Sequence, residues 1–453
     1  MTWDLQFQDG TLVVRGASLN DLPRGFQFDS RINAMRGPAD LYPWVIYTAI
    51  ESKIPYLDKA KQWKPLSDVI LGVERVPRDY QREAVEAWIS NDRRGVVVLP
   101  TGSGKSFVAE MCINRTRRPT LVVAPTLDLV GQWYDRLRMS FQQEIGIIGG
   151  GCHEVLPITV STYDSAYLYL SKYGARFCCL IFDEVHHLPA PGYLDSTRGA
   201  LAPFRLGLTA TLEREDGREA LLDEFVGPVV YRKEITELSG SFLSAYETEK
   251  ILVQLTEEER RIYDVSRQQY LDFLKTKGIS MGKGGWTKFI RQAARSKEGR
   301  SAFLAYQKSK KIAHGATGKI QILDKLLQRE KGRQTIVFTH DNATAYHISK
   351  SFLIPCITHQ TDIKERRSIL NSFAKGVLPT IVTSRVLNEG VDIPSAEVAI
   401  ILSGTGTVRE HVQRLGRILR PSVGKQAILY EVVAENTAEE YTSTRRRRHD
   451  AYR

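Results

Sequence analysis

The segment LPTGSGKS at residues 99–106 contains residue types at a spacing that suits phosphate chemistry. Its glycines allow backbone N–H groups to close around phosphate oxygens at the start of a helix. Lys105 can reach the outer phosphates, and the Ser106 hydroxyl can bind Mg²⁺. The strict P-loop pattern requires glycine at the position of Leu99, so a plain glycine-rich turn is the alternative. The apolar strand pattern before the segment and the helical pattern after it favour a nucleotide site formed by Thr101, Gly102, Ser103, Gly104, Lys105 and Ser106.

The segment LIFDEVHH at residues 180–187 places two carboxylates at the end of another apolar strand. Asp183 is positioned to hold Mg²⁺ through water, and Glu184 to orient and deprotonate the water that attacks a γ-phosphate. Acidic residues at a strand end are otherwise ordinary turn residues. Because a P-loop belongs to the same predicted domain, the pair predicts the second half of a site for nucleoside triphosphate hydrolysis.

The segment HVQRLGRILRP carries polar side chains at helical spacing late in the chain. Gln413, Arg417 and Arg420 are separated by four and three residues, which places them on one face of a helix. Guanidinium groups there could stabilise the charge of a phosphoryl-transfer transition state. The alternative is an amphipathic surface helix. If the arginines act, a second domain supplies them, and hydrolysis depends on closing the cleft between two domains.

Two series of apolar runs predict the elements that position these residues. The first series is GVVVLP, PTLVVAP, LPITVST, FCCLIFDE and RLGLTAT, and the second is QTIVFTH, SFLIPCITH, LPTIVTSR, VAIILS and QAILYEVV. Unbroken runs of Val, Ile and Leu are typical of strands buried on both faces, as in a parallel sheet. The predicted fold class is therefore α/β, with two similar parallel-sheet domains.

Two further segments fall outside these sheets. The first, residues 1–65, begins with LQFQDGTLVV, which predicts a hairpin around Asp9-Gly10 in a small mixed module. This module has its own role or is a structural cap on the adjacent α/β domain. The second lies between about 240 and 315, where the strand pattern stops and polar helical sequence predicts an insertion. The predicted domains are 1–65, 70–240, 241–315 and 316–453.

The net charge of +11 is concentrated in the predicted insertion. Between Lys275 and Lys319 there are twelve lysines and arginines and one acid, Glu298. Such a concentration of positive charge indicates a polyanionic partner, since phosphates are bound by Lys and Arg with release of counterions. A solvated basic face is the alternative. Trp286 and Phe289 lie inside the cluster and favour nucleic acid. The predicted contacts are Lys283, Trp286, Lys288 and Arg291.

Composition excludes several classes of protein. The five cysteines show no CxxC spacing, so neither a zinc site nor an iron–sulfur cluster is indicated. No apolar run reaches the roughly 18 residues that a membrane span needs, and the start MTWDLQFQDG lacks the regions of a signal peptide. We therefore expect a cytoplasmic protein without a membrane partner.

Across residues 70–453 the chain resembles the superfamily 2 helicases. The segments that match the motifs of that superfamily are, in family order, PRDYQREAV, APTLDLVGQW, TVSTYDSA, DEVHH, LTAT, IVFTH, TSRVLNEGVDIP and QRLGRILRP. The resemblance implies two RecA-like motor domains that use ATP and Mg²⁺. It implies that Gln81 reads adenine, with Arg78 and Tyr80 near the base, and that Gly390 and Asp392 contribute to the nucleotide site. The superfamily also tolerates Leu99.

Within this superfamily the chain is most similar to XPB-type DNA repair helicases, in a short archaeal-like form. Three features carry the resemblance: the triplet Arg214-Glu215-Asp216 after LTAT, the basic insertion, and the small N-terminal module. In that family the triplet is associated with DNA unwinding, the insertion is called a thumb, and the module is proposed to sense damaged or distorted DNA. The resemblance implies that Thr209 and Thr211 relay the nucleotide state to DNA. For the triplet, a salt-bridged loop that only joins a strand to a helix is the alternative.

The resulting functional hypothesis is an ATP-dependent DNA helicase or translocase of 3′-5′ polarity that opens duplex DNA around lesions in nucleotide excision repair. The expected partners are duplex, forked or damaged DNA and a repair nuclease, with a monomeric, nucleoid-associated protein. One alternative is the superfamily 2 motor of a restriction system, or an RNA helicase. Another is a nucleic-acid-binding scaffold that uses ATP only as a conformational ligand.

Overall fold

A computed structural model describes residues 2–67, 69–72, 75–214, 216–238, 246–282, 284–384, 396–403 and 427–446. The chain divides into two compact units. The first consists of residues 1–99 and 104–233, and the second of residues 234–453 and 100–103.

The N-terminal segment forms a five-stranded mixed sheet with one helix. Its elements are β1 (Trp3–Gln8), β2 (Thr11–Arg15), β3 (Gln27–Asp29), β4 (Ala34–Pro38), α1 (Tyr42–Glu51) and β5 (Tyr56–Asp58). The strand order is β3-β4-β2-β1-β5, with only the β1–β5 pair parallel among these strands. The predicted hairpin is confirmed: Asp9 and Gly10 join β1 to β2 with φ of 45° and 76°, which are turn angles that Asp-Gly adopts readily.

This module shares a hydrophobic core with the α/β part of the first unit. Trp3, Val14 and Val45 pack in one cluster with Ala175 and Leu201. The Gln62 N–H also donates a hydrogen bond of 2.9 Å to the Ala175 carbonyl. Because burying a leucine or valine side chain stabilises by about 1.5–3 kcal/mol, this shared cluster holds the module against the α/β part.

A buried arginine lies beside the same contact. Arg205 is 1% exposed, and its guanidinium donates to the carbonyls of Ala202, Thr197 and Phe225 at 3.3, 3.1 and 2.7 Å. Burial lowers the pKa of Arg205 to about 9. The half-buried Asp40 of the N-terminal module lies in the field of Arg205, and burial raises the pKa of its carboxyl.

The rest of the first unit is built on an eight-stranded sheet. Its elements are α2 (Asp79–Ser90), β6 (Arg94–Val98), α3 (Lys105–Thr116), β7 (Thr120–Ala124), α4 (Leu127–Phe141), β8 (Gly146–Gly149), β9 (Cys152–Glu154), β10 (Ile158–Thr162), α5 (Tyr163–Tyr173), β11 (Cys179–Asp183), α6 (Tyr193–Arg198), β12 (Phe204–Thr209), α7 (Leu222–Phe225) and β13 (Val229–Arg232). The order is β13-β6-β12-β11-β7-β10-β8-β9, and every pair is parallel except β8–β9. The prediction of a parallel α/β sheet is confirmed. Strands β6, β12 and β11 are neighbours, so the segments after these strands emerge at one edge.

The second unit carries a six-stranded parallel sheet and a group of helices. Its elements are α8 (Ile235–Leu238), β14 (Tyr246–Val253), α9 (Glu257–Thr276), α10 (Gly285–Ala293), α11 (Lys297–His314), α12 (Thr317–Arg329), β15 (Thr335–Phe338), α13 (Asn342–Phe352), β16 (Cys356–Ile357), α14 (Ile363–Ala374), β17 (Thr380–Thr383), β18 (Val398–Ile401), β19 (Ala427–Ala434) and α15 (Ala438–Arg446). The order is β14-β19-β18-β15-β17-β16. A second parallel α/β sheet is thus also confirmed.

One sequence prediction for this unit is wrong. Residues 246–253, YETEKILV, lie where only helical sequence was predicted, yet they form β14 and pair with β19 along its full length. The segment was missed because β14 is an edge strand, and charged residues interrupt the apolar run that marks a buried parallel strand. The helices of the predicted insertion are therefore α9, α10 and α11.

We predict that Leu201→Ala weakens the attachment of the N-terminal module. Leu201 is fully buried in the shared core, so the substitution should lower the free energy of unfolding by about 2–5 kcal/mol. Urea denaturation followed by tryptophan fluorescence measures this change, since Trp3 lies in the same cluster. Leu168→Ala, at a residue 62% exposed on α5, is the control. Equal midpoints for the two variants would contradict the shared core.

Candidate functional site

The glycine-rich segment joins β6 to α3 in the first unit. The Lys105 ammonium donates to the Leu99 carbonyl at 3.1 Å. Gly104 has a left-handed φ of 88°, and a Cβ added to it would lie 2.5 Å from the Gln81 Nε2 atom. Glycine is favoured at this position because the left-handed backbone conformation strains any other residue, and a Cβ there would also displace the Gln81 side-chain amide. The α3 N-terminus, with Lys105 and Ser106 in its first turn, is therefore a ready anion site.

The two predicted carboxylates lie at the end of β11. Asp183 is 8% exposed, and its Oδ2 atom accepts a hydrogen bond of 2.8 Å from the Trp133 indole N–H. Its Oδ1 atom accepts from the Glu184 backbone N–H at 3.1 Å. Burial raises the pKa of Asp183, while the nearby Lys105 charge opposes that shift. Glu184 itself has a left-handed φ of 47°, a strained backbone conformation of the kind that clusters at functional sites.

A chain of buried hydrogen bonds connects this carboxylate turn to the end of β12. The Thr209 hydroxyl lies 3.0 Å from His186 Nδ1 and donates to the Thr211 carbonyl at 2.7 Å. Because the hydroxyl proton is used in that bond, Thr209 accepts from the protonated Nδ1 of His186. His186 Nδ1 also lies 3.5 Å from the Glu184 carboxylate. Of the two predicted relay residues, Thr209 thus contacts the turn that carries Glu184, and Thr211 is bonded to Thr209.

The predicted adenine-reading residues lie at the start of α2. The Arg78 backbone N–H donates to the Gln81 side-chain oxygen at 3.0 Å, and the Arg78 guanidinium donates to the Tyr80 hydroxyl at 3.0 Å. Tyr80 and Gln81 are buried, and Gln81 abuts Gly104. This placement brings the segment next to the phosphate-binding loop. Their contact with adenine stays a prediction.

The charged triplet forms a salt-bridged loop in the part that the structure describes. Arg214 donates to Asp216 at 2.6 and 2.8 Å, and a third bond from its guanidinium goes to the His186 carbonyl. This pairing holds the pKa of Asp216 well below its ordinary value. The loop that was the structural alternative is therefore present. It is attached to the turn that carries Glu184, and its contact with DNA stays a proposal.

Three of the predicted DNA contacts are exposed on α10, whereas a neighbouring aromatic residue is buried. Lys288 and Arg291 are exposed on α10, and Trp286 is 42% exposed against the rings of Phe289 and Tyr306. Phe289, which the sequence places inside the basic cluster, is fully buried and does not present its ring to a nucleic acid. It lies instead in the hydrophobic core formed by the helices, where burial of its large ring stabilises their packing.

One lysine of the counted basic cluster is also part of a core. Lys319 is 1% exposed and donates to the Leu402 carbonyl at 2.7 Å and to the Glu439 carboxylate at 2.7 and 2.9 Å. Its charge is therefore neutralised inside the second unit.

Seven predicted site residues lie outside the described residues: Glu215, Lys283, Gly390, Asp392, Gln413, Arg417 and Arg420.

The arrangement fits a Mg²⁺–nucleotide complex rather than a metal bound by protein alone. Within the described ranges, no group of three or more His, Cys, Asp and Glu side chains could hold a metal ion. Asp183 and the Ser106 hydroxyl are oxygen donors, and Mg²⁺ is usually bound by one or two carboxylates together with substrate phosphates. The buried carboxylate of Asp183 also lacks an ionic partner of its own within 4 Å among the described side chains, which suits a cation.

Trp133 was missed as a site residue in the sequence. It lies on α4 within the segment APTLDLVGQW, fifty residues before Asp183, and it is 2% exposed. A tryptophan at a buried helix position predicts only core packing. The one sequence-level indication of its role is that a buried indole N–H needs a hydrogen-bond acceptor.

Three family descriptions match the chain. They are "Xeroderma pigmentosum group B helicase damage recognition domain" over residues 5–60, "Type III restriction enzyme, res subunit" over residues 74–214, and "Helicase conserved C-terminal domain" over residues 318–422. Among the described residues, no helix is long and apolar enough to cross a membrane.

Curated relatives match most of the chain. The chain is 46% identical to the DNA 3′-5′ translocase XPB2 of Sulfurisphaera tokodaii, over 82% of this chain and 84% of the relative. It is 31% identical to the DNA 3′-5′ helicase XPB of Mycobacterium tuberculosis, over 82% of this chain and 63% of that relative. It is 26% identical to the yeast general transcription and DNA repair factor IIH helicase/translocase subunit XPB/SSL2, over 84% of this chain but only 44% of the relative.

Solved structures with the same fold have low sequence identity. The Hef helicase domain of Pyrococcus furiosus matches 82% of this chain and 98% of its own, with a TM-score of 0.52 and 19% identity. Yeast Dbp5, solved with RNA and ADP BeF3, matches 84% of this chain and 89% of its own, with a TM-score of 0.58 and 13% identity. These two likenesses bear on the fold, which is that of paired RecA-like domains.

We predict that Trp133→Phe weakens metal binding. The substitution preserves the buried ring but removes the indole N–H that fixes Asp183, and loss of a ligand's hydrogen-bond partner typically costs 10–100-fold in metal affinity. Mn²⁺ binding in the presence of ADP, followed by electron paramagnetic resonance, should weaken about tenfold.

Trp88→Phe is the matched control for that measurement. Trp88 is equally buried, and its indole donates to the Arg205 carbonyl at 2.9 Å, away from Asp183. An equal loss of Mn²⁺ affinity in both variants would show that Trp133 acts only through general stability.

Proposed function

Because this chain belongs to the XPB family of superfamily 2 DNA helicases, we propose that it is an ATP-dependent DNA translocase or helicase of 3′-5′ polarity. Its task is to open duplex DNA around lesions in nucleotide excision repair. The observation that carries the proposal is the joint placement of Lys105, Asp183 and Glu184 at one edge of a parallel sheet. A half-buried lysine and two carboxylates at that edge supply parts that hydrolysis of ATP requires.

In the proposed reaction, the α3 N-terminus and Lys105 hold the ATP phosphates. Ser106 and Asp183 would hold Mg²⁺, which supplies positive charge that neutralises the phosphate oxygens when it is bound. Glu184 takes the proton of the attacking water. Arg78, Tyr80 and Gln81 are proposed to contact the base.

The proposed coupling to DNA runs through the hydrogen bonds around His186. Any shift of Glu184 during hydrolysis acts on His186, which contacts Thr209 through its ring and Arg214 through its carbonyl. Thr209 in turn is bonded to Thr211. The triplet Arg214-Glu215-Asp216 is therefore proposed as the part of the first unit that transmits the nucleotide state to duplex DNA.

Contributions from the remaining predicted residues stay proposals from the sequence. Gln413, Arg417 and Arg420 are proposed to stabilise the transition state, and Gly390 and Asp392 to complete the nucleotide site. The contacts Lys283, Trp286, Lys288 and Arg291 are proposed to bind DNA, together with the other exposed cations of α10 and α11.

We assign the proposed roles to the predicted domains. Residues 1–65 sense damaged or distorted DNA, supported by the damage recognition match over residues 5–60. Residues 70–240 and 316–453 are the two motor domains, and residues 241–315 contain the thumb-like helices. A repair nuclease as partner, a monomeric state and association with the nucleoid are further parts of the proposal.

A restriction-system motor is the second candidate, because residues 74–214 match the res subunit of type III restriction enzymes. An RNA helicase would share the same fold. ATP hydrolysis stimulated by RNA, single-stranded DNA and forked duplex separates these candidates. Strongest stimulation by forked DNA supports the repair motor, whereas stimulation by RNA alone contradicts it.

We predict that Glu184→Gln abolishes DNA-stimulated ATP hydrolysis while ATP binding persists. Removal of a general base costs about 10²–10⁴-fold in rate, whereas the amide leaves the phosphate-binding loop intact. Turnover with forked DNA should therefore fall at least about 100-fold. Glu154→Gln, at an exposed residue of β9, is the control. A scaffold that uses ATP only as a ligand would be sensitive to Lys105→Ala but not to Glu184→Gln.

We predict that DNA binding is strongly dependent on salt. Each phosphate that a basic side chain neutralises contributes a slope of about −0.9 to the logarithm of affinity against the logarithm of salt concentration. Lys288→Gln and Arg291→Gln should each reduce this slope by about one, and Lys350→Gln, at an exposed residue of α13, should not. Fluorescence anisotropy of labelled duplex measures the slope. An affinity that does not change with salt would remove α10 from the DNA-binding surface.

A further inference from the structure

A cavity of about 550 Å³ lies at the junction between α10 and α11. Its apolar part is formed by Ile290, Ala293 and Phe303, and its basic part by Arg295, Lys297 and Arg300. The volume falls within the range of 300–1,000 Å³ that is common for small-ligand sites. An apolar surface bordered by cations suits a ligand that has a flat apolar part and an anionic part.

The three cations of the cavity lack acidic partners in the described part of the chain. No ion pair within 4 Å forms at Arg295, Lys297 or Arg300, although such pairs form elsewhere on the surface. The nearest acid in sequence, Glu298, is exposed and is the one acid between residues 275 and 319. A cluster of cations with no counter-charge attracts an anionic ligand.

The start of α11 adds backbone donors at the same place. Ser296 caps the helix, and its hydroxyl accepts the Gly299 N–H at 2.9 Å. The backbone N–H groups that precede Gly299 in the first turn of α11 have no acceptor within the helix. The positive end of the dipole of this 18-residue helix lies at the same turn. These groups and the three cations could therefore bind one phosphate together.

The apolar part of the cavity borders the helical core. The Phe303 ring is half-buried and lies 6.3 Å from the ring of the fully buried Phe289. Ile290 is 37% exposed on the facing helix. A ring held in this way loses little conformational freedom on binding, and a nucleobase stacks on such a ring whatever its sequence.

We propose that this cavity binds one unstacked nucleotide of single-stranded DNA, with its base on Phe303 and Ile290 and its phosphate at Arg295, Lys297 and Arg300. The site rests on the proposed function in that its ligand is the DNA on which the motor acts. A base inside a duplex is covered by its neighbours and its partner, so it cannot enter a cavity of this size. The site therefore selects unpaired strands, in addition to the general attraction of the basic helices for phosphate.

The test compares DNA binding without ATP. The probes are an oligothymidylate, an abasic deoxyribose-phosphate strand of the same length, and a blunt duplex. Phe303→Leu should weaken binding of the oligothymidylate about fivefold and leave the abasic strand unchanged, because one stacked base is lost. Leu304→Ala, at a residue 55% exposed on the same helix and outside the cavity, is the matched control.

A second pair of variants tests the basic part without touching the core. Arg300→Gln should weaken the oligothymidylate about fivefold more than Lys308→Gln, which removes the same charge from an exposed position of α11 outside the cavity. On duplex the two variants should be equal. Equal losses on both probes, or an equal effect of Phe303→Leu on the abasic strand, would overturn the nucleotide site.

The test of the nucleotide cavity is independent of the test of the proposed motor function. ATP hydrolysis of the unaltered protein that is indifferent to DNA would contradict the proposed function, while the binding comparison would still decide the cavity. Conversely, DNA-stimulated hydrolysis with no difference between the paired variants would leave the motor and reject the cavity.

Discussion

The buried carboxylate of Asp183 is the constraint on which the nucleotide site depends. A carboxylate taken out of water must be compensated by donors and cations, or it becomes protonated. Here the Trp133 indole and the Glu184 backbone N–H supply donors, and Lys105 supplies a nearby charge. Since burial still raises the pKa of Asp183, the protein alone does not fully stabilise the ionised form. This environment suits a cation beside the carboxylate, as the proposed Mg²⁺ site requires.

The same requirement for compensation connects hydrolysis to the surface of the first unit. His186 lies two residues after Glu184, and its ring and carbonyl bond to Thr209 and Arg214. These contacts are buried or half-buried, where an unpaired polar group is costly, so breaking any one of them is unfavourable. A change at the carboxylate turn therefore has a defined route to the charged loop. The shared core under the N-terminal module makes that module part of the same body.

Charge is divided between structure and binding in the second unit. Lys319 belongs to the basic cluster in the sequence, but its ammonium forms a buried ion pair with the Glu439 carboxylate. Arg295, Lys297 and Arg300 border a cavity instead, without acidic partners among the described residues. The aromatic residues divide in the same way, because Phe289 packs inside the helices whereas Phe303 borders the cavity. The basic cluster is thus less uniform than its composition suggests.

The sequence by itself determined the α/β class, the β1–β2 hairpin, the position of the glycine-rich loop between β6 and α3, and the position of the carboxylate pair at the end of β11. Each of these depends on a local pattern: an unbroken apolar run, an Asp-Gly turn, or a glycine-rich segment between strand and helix. It failed at β14, where the missing partner β19 lies far along the chain. It also did not reveal that Phe289 is buried whereas Trp286 is partly exposed, because residue type does not show which side of a helix faces the core. Only the tertiary structure decided that Trp133 bonds Asp183, that His186 links Thr209 to the carboxylate turn, and that Arg295 and Phe303 share one cavity. The physical reason is that hydrogen bonds and burial join residues distant in sequence, whose pairing depends on how strands order themselves in the sheet and how helices pack.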